Sequence, residues 1–283
     1  MSVLSNTVPM KANELKTFLR DMKDGEKTWE EASNVLIVKS MLIHIGSLDS
    51  DLRDHLIYSS FYQIIIEKNL LEPELLTEIL DLCLRELLFK GIGENGTDTV
   101  FTRSFTTLLI ALILYKDNED NFLSPEMVYI VKDRLIDYLN SEMDLRGYVS
   151  AKGWAHSIAH VADAFNQLVE SPKVNQELYA DILNPIWNKV FVSNYVYAHD
   201  EDERLLTPIL GMLKNGLDTK EIESYIQYVP EKLRLLKDNL DEENYWFLLA
   251  NCKRFLKSFY IKVMQDPSLL SLQKSMENCL KEM

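Results

Sequence analysis

The sequence predicts an all-α protein, and three observations carry that expectation. Nine glycines and eight prolines in 283 residues, beside abundant Leu, Ile, Glu and Lys, favour helix over sheet. Apolar residues recur at helical spacing: Ile57, Phe61, Ile64 and Ile65 follow i, i+4, i+7, i+8, as do Phe101, Phe105, Leu108 and Leu109. Helix starts also recur about every 50 residues. Asp49-x-Asp51-x-Arg53 and Asp200-x-Asp202-x-Arg204 share one pattern 151 residues apart, close to three such steps. A period of that length made of two helices predicts an α-solenoid of HEAT-like helical-hairpin repeats; a closed α/α toroid is the alternative, since a dozen helices also make six hairpins in a ring.

Taken in order, helices are expected near residues 10–22, 29–46, 49–68, 73–89, 98–116, 125–140, 153–170, 173–193, 200–214, 218–238, 241–263 and 267–281. The Ile57 stripe supports the third, and Glu72-Pro73 opens the fourth. Asp98 precedes the fifth, which carries the Phe101 stripe. Ser124-Pro125-Glu126 and Asp266-Pro267 each place a capping residue before Pro at the first helical position. Gly153 opens the seventh helix and Ser171-Pro172 the eighth. One domain is expected over 1–283, with an N-terminal cap of about 1–46, repeats over about 47–265, and a C-terminal capping helix of about 266–283. Arginines in the first turns (Arg53, Arg103, Arg204) are expected to reach acids of neighbouring repeats as a ladder.

Composition narrows the function classes. Cys83, Cys252 and Cys279 form no C-x-x-C pair, which excludes a disulfide scaffold and a thiolate zinc site. A formal charge of −14 argues against nucleic-acid or anionic-membrane partners, since both require Lys and Arg to neutralise phosphate. Residues 1–22 lack a basic start followed by an apolar run, and the longest strongly apolar stretch, Leu108–Tyr115, is far short of a membrane span. A cytoplasmic protein is expected.

The informative segment is 142–170, EMDLRGYVSAKGWAHSIAHVADAFNQLVE. Trp154, Ile158, Val161, Ala162, Phe165 and Leu168 form an apolar stripe on the expected helix. His156, His160, Asp163 and Gln167 form the opposite stripe at i, i+4, i+7 and i+11. An ordinary solvated face carries Lys and Glu; this one carries neither before Glu170. Three readings compete. Two imidazoles one turn apart can share a divalent ion, with Asp163 as a third ligand; Ser157 stands where a zincin has its glutamate, so metalloprotease chemistry is unsupported. Asp163 or Asp144 could instead orient a histidine for acid–base work. Or the polar groups satisfy one another, and Arg146, at a packed inner surface.

DLRGYV followed by KGWAHSIAHVAD closely resembles the signature of a family of bacterial proteins known only as a domain of unknown function. SLDSDLRDHLIYSSF, VFTRSFTTLLIALIL and DEDERL are similar to that family's other blocks, so the resemblance spans about residues 35–215. It implies an all-helical, HEAT-like protein and no particular activity. The family's recurring residues correspond here to Arg53, Asp54, Arg103, Asp144, Arg146, Gly147, Gly153, Trp154, His156, His160, Asp163, Asp202 and Arg204.

Other motifs are weaker. His199-Asp200-Glu201-Asp202-Glu203 attracts cations by charge but lacks EF-hand spacing. Gly91-x-Gly93-x-x-Gly96 follows the end of a helix rather than a strand, so it reads as a flexible turn and not a dinucleotide loop. The function expected is a binding module, with His156, His160, Asp163, Asp144, Arg146, Trp154, Arg53, Arg103 and Arg204 lining a concave groove for a protein segment or small ligand. The alternative is an enzyme using His156, His160 and Asp163. No cofactor is expected unless those three hold a divalent metal.

Overall fold

The computed structural model describes residues 8–29 and 34–283. These are predominantly helical, and no strand longer than two residues occurs among them, as the all-α expectation requires. The order is α1 (Ala12–Lys23), α2 (Asn34–Ile43), α3 (Ser59–Tyr62) between π-type turns at Asp51–Tyr58 and Gln63–Glu67, and α4 (Pro73–Leu82) continued by a π-type turn at Cys83–Leu87. There follow α5 (Thr99–Asp120), α6 (Pro125–Ser141), strands β1 (Tyr148–Val149) and β2 (Gly153–Trp154), and α7 (Ser157–Glu170). The chain ends with α8 (Tyr179–Asn188), α9 (Glu201–Lys214), α10 (Thr219–Lys237), α11 (Glu242–Val263) and α12 (Leu270–Glu282). Part of the expected helix 29–46, residues 30–33, lies outside the described residues, as does the start of the expected N-terminal cap.

The capping chemistry read from the sequence is in place. Ser124 Oγ accepts from the Met127 N–H at 3.2 Å, with Pro125 first in α6. Asp266 accepts from the Ser268 N–H at 2.9 Å ahead of α12. Each side chain satisfies a donor that the first helical turn leaves without a carbonyl partner.

Two helices start later than expected. The helix expected from Gly153 begins at Ser157 because residues 153–156 are spent pairing with 146–149: the Ala155 and His156 N–H groups donate to the Gly147 and Arg146 carbonyls at 2.8 and 3.0 Å. Ser171-Pro172 opens no helix. The Val174 N–H donates to the Ser171 carbonyl at 3.1 Å, closing a turn, and α8 follows a 3-10 turn at Gln176–Leu178.

The chain divides into two compact units, one ending at Ala164 and one spanning Phe165–Met283, with the boundary inside α7. In the first unit α5 is the spine, packed against α3, α4 and the turns that follow them. It is the one described helix long and apolar enough to cross a membrane, and most of it is buried. Its buried hydroxyls return to its own backbone: Thr106 and Thr107 donate to the Thr102 and Ser104 carbonyls, both at 2.7 Å. The turn after α2 approaches α5 at Gly46, where a Cβ would stand 2.7 Å from the Thr102 backbone, so only glycine fits. In the second unit α9 packs on α11 and α10 on α12, and α11 also touches α10 and α12.

Candidate functional site

The segment 142–156 folds as a loop and a small β-hairpin over the start of α5. Tyr148 pairs with Trp154 and Val149 with Gly153. The connecting turn needs left-handed backbone at Ala151 (φ 62°) and Gly153 (φ 79°), and His156 leaves the hairpin at φ 48°. Two of these three are non-glycine residues, each held against roughly 1–3 kcal/mol of local strain. Val149 packs on a small core of Val100, Phe101 and Ala155.

Beneath the hairpin lies the fully buried guanidinium of Arg53. Nη1 donates to the Ser47 carbonyl, and Nη2 to the carbonyls of Lys152 (2.7 Å) and Trp154 (3.4 Å). The guanidinium stacks over Phe101 and Phe105, 4.3 and 4.8 Å from their ring centres, and Nε pairs with Asp54 at 2.8 Å. Burial pushes Arg53 below its ordinary value, opposed by the Asp54 charge; burial pushes the Asp54 carboxyl up, opposed by Arg53. Both charges are therefore held at a cost, and the return is the geometry of the hairpin.

A second buried network fixes the loop before it. Arg103 grips Glu142 bidentately at 2.5 and 2.8 Å, both side chains fully out of solvent. Glu142 also accepts the Asp144 N–H at 2.8 Å. The Asp144 carboxylate takes Nε and Nη2 of Arg146 at 2.8 and 2.6 Å and the Gly96 N–H at 3.0 Å. Arg103 donates to the carbonyls of Lys90 and Glu94, and Arg146 to that of Thr97. The Gly91–Gly96 turn, expected to be flexible, is thus tied to the site from three sides. Burial pushes the Tyr138 phenol well above its ordinary value, and the neighbouring Glu142 charge adds to this.

Above these charges runs a file of rings. Tyr148 meets Trp154 edge-to-face at 5.1 Å, and Trp154 stacks on His156 at 4.4 Å. His156 meets His160 edge-to-face at 5.6 Å, and His160 meets Phe105 at 5.1 Å. The outer members are open, Tyr148 54% and Trp154 38% exposed, whereas His160 is 7% exposed. Ser104 Oγ donates to the Ala155 carbonyl, so at its 2.8 Å contact with His160 it accepts from Nδ1–H. That bond fixes the His160 tautomer and orientation.

The sequence-derived candidates therefore separate. His156, His160, Trp154, Arg53, Asp144 and Arg146 come together, and Arg103 joins them through Glu142. Arg53, Arg103 and Asp144 do not line a surface; they lie buried beneath one, where their bonds shape the loop. Trp154 does not sit on α7 opposite His156; it precedes the helix and stacks on that ring. Arg53 reaches loop carbonyls rather than a ladder of acids. Asp163 sits half-buried on α7, and Arg204 lies in the second unit. Among the described residues no group of three His, Cys, Asp or Glu side chains is arranged to hold a metal ion. Sequence reasoning missed Ser104, Tyr148, Glu142 and the pairing of Lys152 with Asp98 at 2.6 Å. The DLRGYV block contained Tyr148, and its place directly after Gly147 was the available signal.

Gly153 links hairpin and arginine. A Cβ there would stand 2.7 Å from Ser50 Cβ and 3.0 Å from Arg53 Nη2, at a φ that L side chains rarely adopt. Gly153→Ala is expected to lower unfolding free energy by about 2–4 kcal/mol, combining strain and overpacking. An unfolding free energy from urea titration within about 0.5 kcal/mol of wild type contradicts the close approach.

The second D-x-D-x-R copy is built differently. Glu201 and Asp202 are both buried at the start of α9, after Asp200 at φ 65°. Glu201 accepts the His199 N–H at 2.8 Å, and Asp202 accepts the Ser258 hydroxyl at 2.7 Å. Burial raises the Glu201 carboxyl above its ordinary 4.5, and the Asp202 charge adds to the rise. A raised acid favours the folded state most below its unfolded value and loses that contribution as pH climbs through the folded one. Glu201→Gln should therefore match wild type near pH 4 and be the more stable protein at pH 8. Parallel urea-midpoint curves across that range contradict this.

No match was found among curated proteins or among solved structures. The family model described as "Protein of unknown function (DUF2785)" matches residues 88–261, which include α5, the buried Arg103–Glu142 pair, the β-hairpin and both histidines. By that match, over more than half of its length, the chain belongs to the DUF2785 family.

Proposed function

We propose that this protein is a recognition module, and that its contact surface is the segment Met143–His156, which takes a protein segment or small ligand against the rings of Tyr148, Trp154 and His156. One observation carries the reading: exposed aromatic rings sit on a strained hairpin whose Lys152 and Trp154 carbonyls are bonded by the buried Arg53, with the Asp144–Arg146 pair in the loop that leads into it. Rings fixed in advance lose little conformational entropy on contact, and Tyr and Trp dominate the energetics of recognition surfaces. The HEAT-like part of the reading is supported within the second unit by the stacking of α9 on α11 and α10 on α12. An enzymatic reading draws no support from His160, which is largely buried with Nδ1 bound to Ser104.

The test is selection of ligands from a displayed-peptide library and a small-molecule thermal-shift library against wild type, Tyr148→Ala and Trp154→Phe. Ligands of this surface lose roughly thirtyfold in affinity on Tyr148→Ala, the effect of a typical anchor residue. Ligands that bind wild type and both variants equally place recognition elsewhere and overturn the reading.

A further inference from the structure

Resting on that reading, we propose that the occupant is a basic peptide segment, its arginine or lysine side chains laid across the Tyr148 and Trp154 rings with apolar neighbours against Met143. Three observations point this way. Residues 1–164, which carry the surface, contain 26 Asp and Glu against 16 Lys and Arg, so the unit attracts cations. The two basic side chains on the loop do not oppose that field, because Arg146 is paired with Asp144 and Lys152 with Asp98. The exposed face is aromatic, and an aromatic face is where a guanidinium or ammonium group is held in water-accessible sites. The fold already uses this contact internally, with Arg53 over Phe101 and Arg134 over Phe89 at 4.3 and 4.1 Å.

A segment fits better than a free small cation. Tyr148 and Trp154 touch each other at 5.1 Å, so they leave no cage between them for a single ion. Met143, Tyr148 and Trp154, all exposed along one stretch of chain, instead suit the successive side chains of a segment. Met, Tyr and Trp are the residue types enriched at protein contact surfaces. Attraction from the acidic unit speeds encounter, and the rings supply the site.

The experiment is a fluorescence-polarisation titration with three labelled heptapeptides: alternating Arg and Leu, the same with Gln for Arg, and the same with Glu for Arg. Spermine serves as a free-cation competitor. The expected result is that only the arginine peptide binds. Its affinity drops at least roughly tenfold on Tyr148→Ala, is largely kept by Trp154→Phe, and falls as salt is raised. Thermal melts matching wild type show that the variants are folded. Binding undiminished by Tyr148→Ala means diffuse attraction to an acidic surface and overturns the proposal. Equal binding of the Gln peptide that still depends on Tyr148 overturns the basic partner while leaving the recognition surface standing. Complete displacement by spermine at micromolar concentration replaces the peptide with a free polyamine, and failure of all three peptides removes the basic segment. In those cases the library selection decides separately whether the surface recognises anything.

Discussion

Arg53→Met is expected to lower unfolding free energy by about 3–5 kcal/mol, the usual result of removing one member of a buried charge group. The loss has identifiable parts. Asp54 remains largely buried with its cation gone, and the carbonyls of Ser47, Lys152 and Trp154 lose their donor. Methionine keeps the packing against Phe101 and Phe105 but not the cation over their faces. Arg53→Lys should rescue little, because a single ammonium group does not reproduce the spread of the planar fork to the Ser47, Lys152 and Trp154 carbonyls. Adding Asp54→Asn to Arg53→Met should recover part of the stability, by relieving the stranded carboxylate, without restoring the hairpin. Amide exchange separates these effects. The Ala155 and His156 N–H groups, bonded to Gly147 and Arg146, should lose protection in both the single and the double variant. Protection unchanged there, or a stability loss below about 1 kcal/mol, contradicts the role of Arg53 as the support of the hairpin.

The reason this role was hidden from sequence reading is instructive. Most arginines are solvent-exposed, so a first-turn arginine in an acidic chain is naturally assigned to a surface ladder. Nothing in D-x-D-x-R says that Arg53 is buried while Asp49 and Asp51 stay near the surface pairing with Lys16 and Arg20. Helix identity was legible because apolar spacing and proline caps are local signals, and the starts of α4 and α6 were readable to the residue. The start of α7 was not. Trp154 and Ile158 keep helical spacing across a hairpin, the left-handed residues Ala151 and His156 are not glycines, and Gly153, the glycine the turn does use, reads equally well as a helix start. The histidine, aspartate and arginine cluster was recognisable as unusual from its lack of Lys and Glu. Its division into exposed rings and buried supports depended on tertiary contacts between residues up to about a hundred positions apart, such as Arg53 with Trp154.

The second large effect is expected at Arg103 and Glu142, and here the two single variants should differ in kind. Arg103→Met leaves a fully buried carboxylate without its counter-ion, at a cost of about 3–5 kcal/mol. It also withdraws donors from the carbonyls of Lys90 and Glu94, so the Gly91–Gly96 turn loses its inner anchor. Glu142→Gln removes the charge but keeps a carbonyl oxygen that can still accept the Asp144 N–H, so the loop backbone survives while the buried guanidinium loses its counter-ion. Combining the two changes removes both charges and leaves a neutral acceptor at the loop. The double variant should be more stable than Arg103→Met alone by about 1–3 kcal/mol, since an uncompensated buried charge is the larger part of the penalty. Asp144 and Arg146 stay paired in every variant, so the Tyr148–Trp154 surface should persist and peptide or ligand binding should change less than twofold in the double variant. Urea midpoints for the four proteins close the cycle. Additive effects, with no recovery in the double variant, mean that Arg103 acts through its carbonyl contacts alone and that its pairing with Glu142 does not govern the stability of the loop.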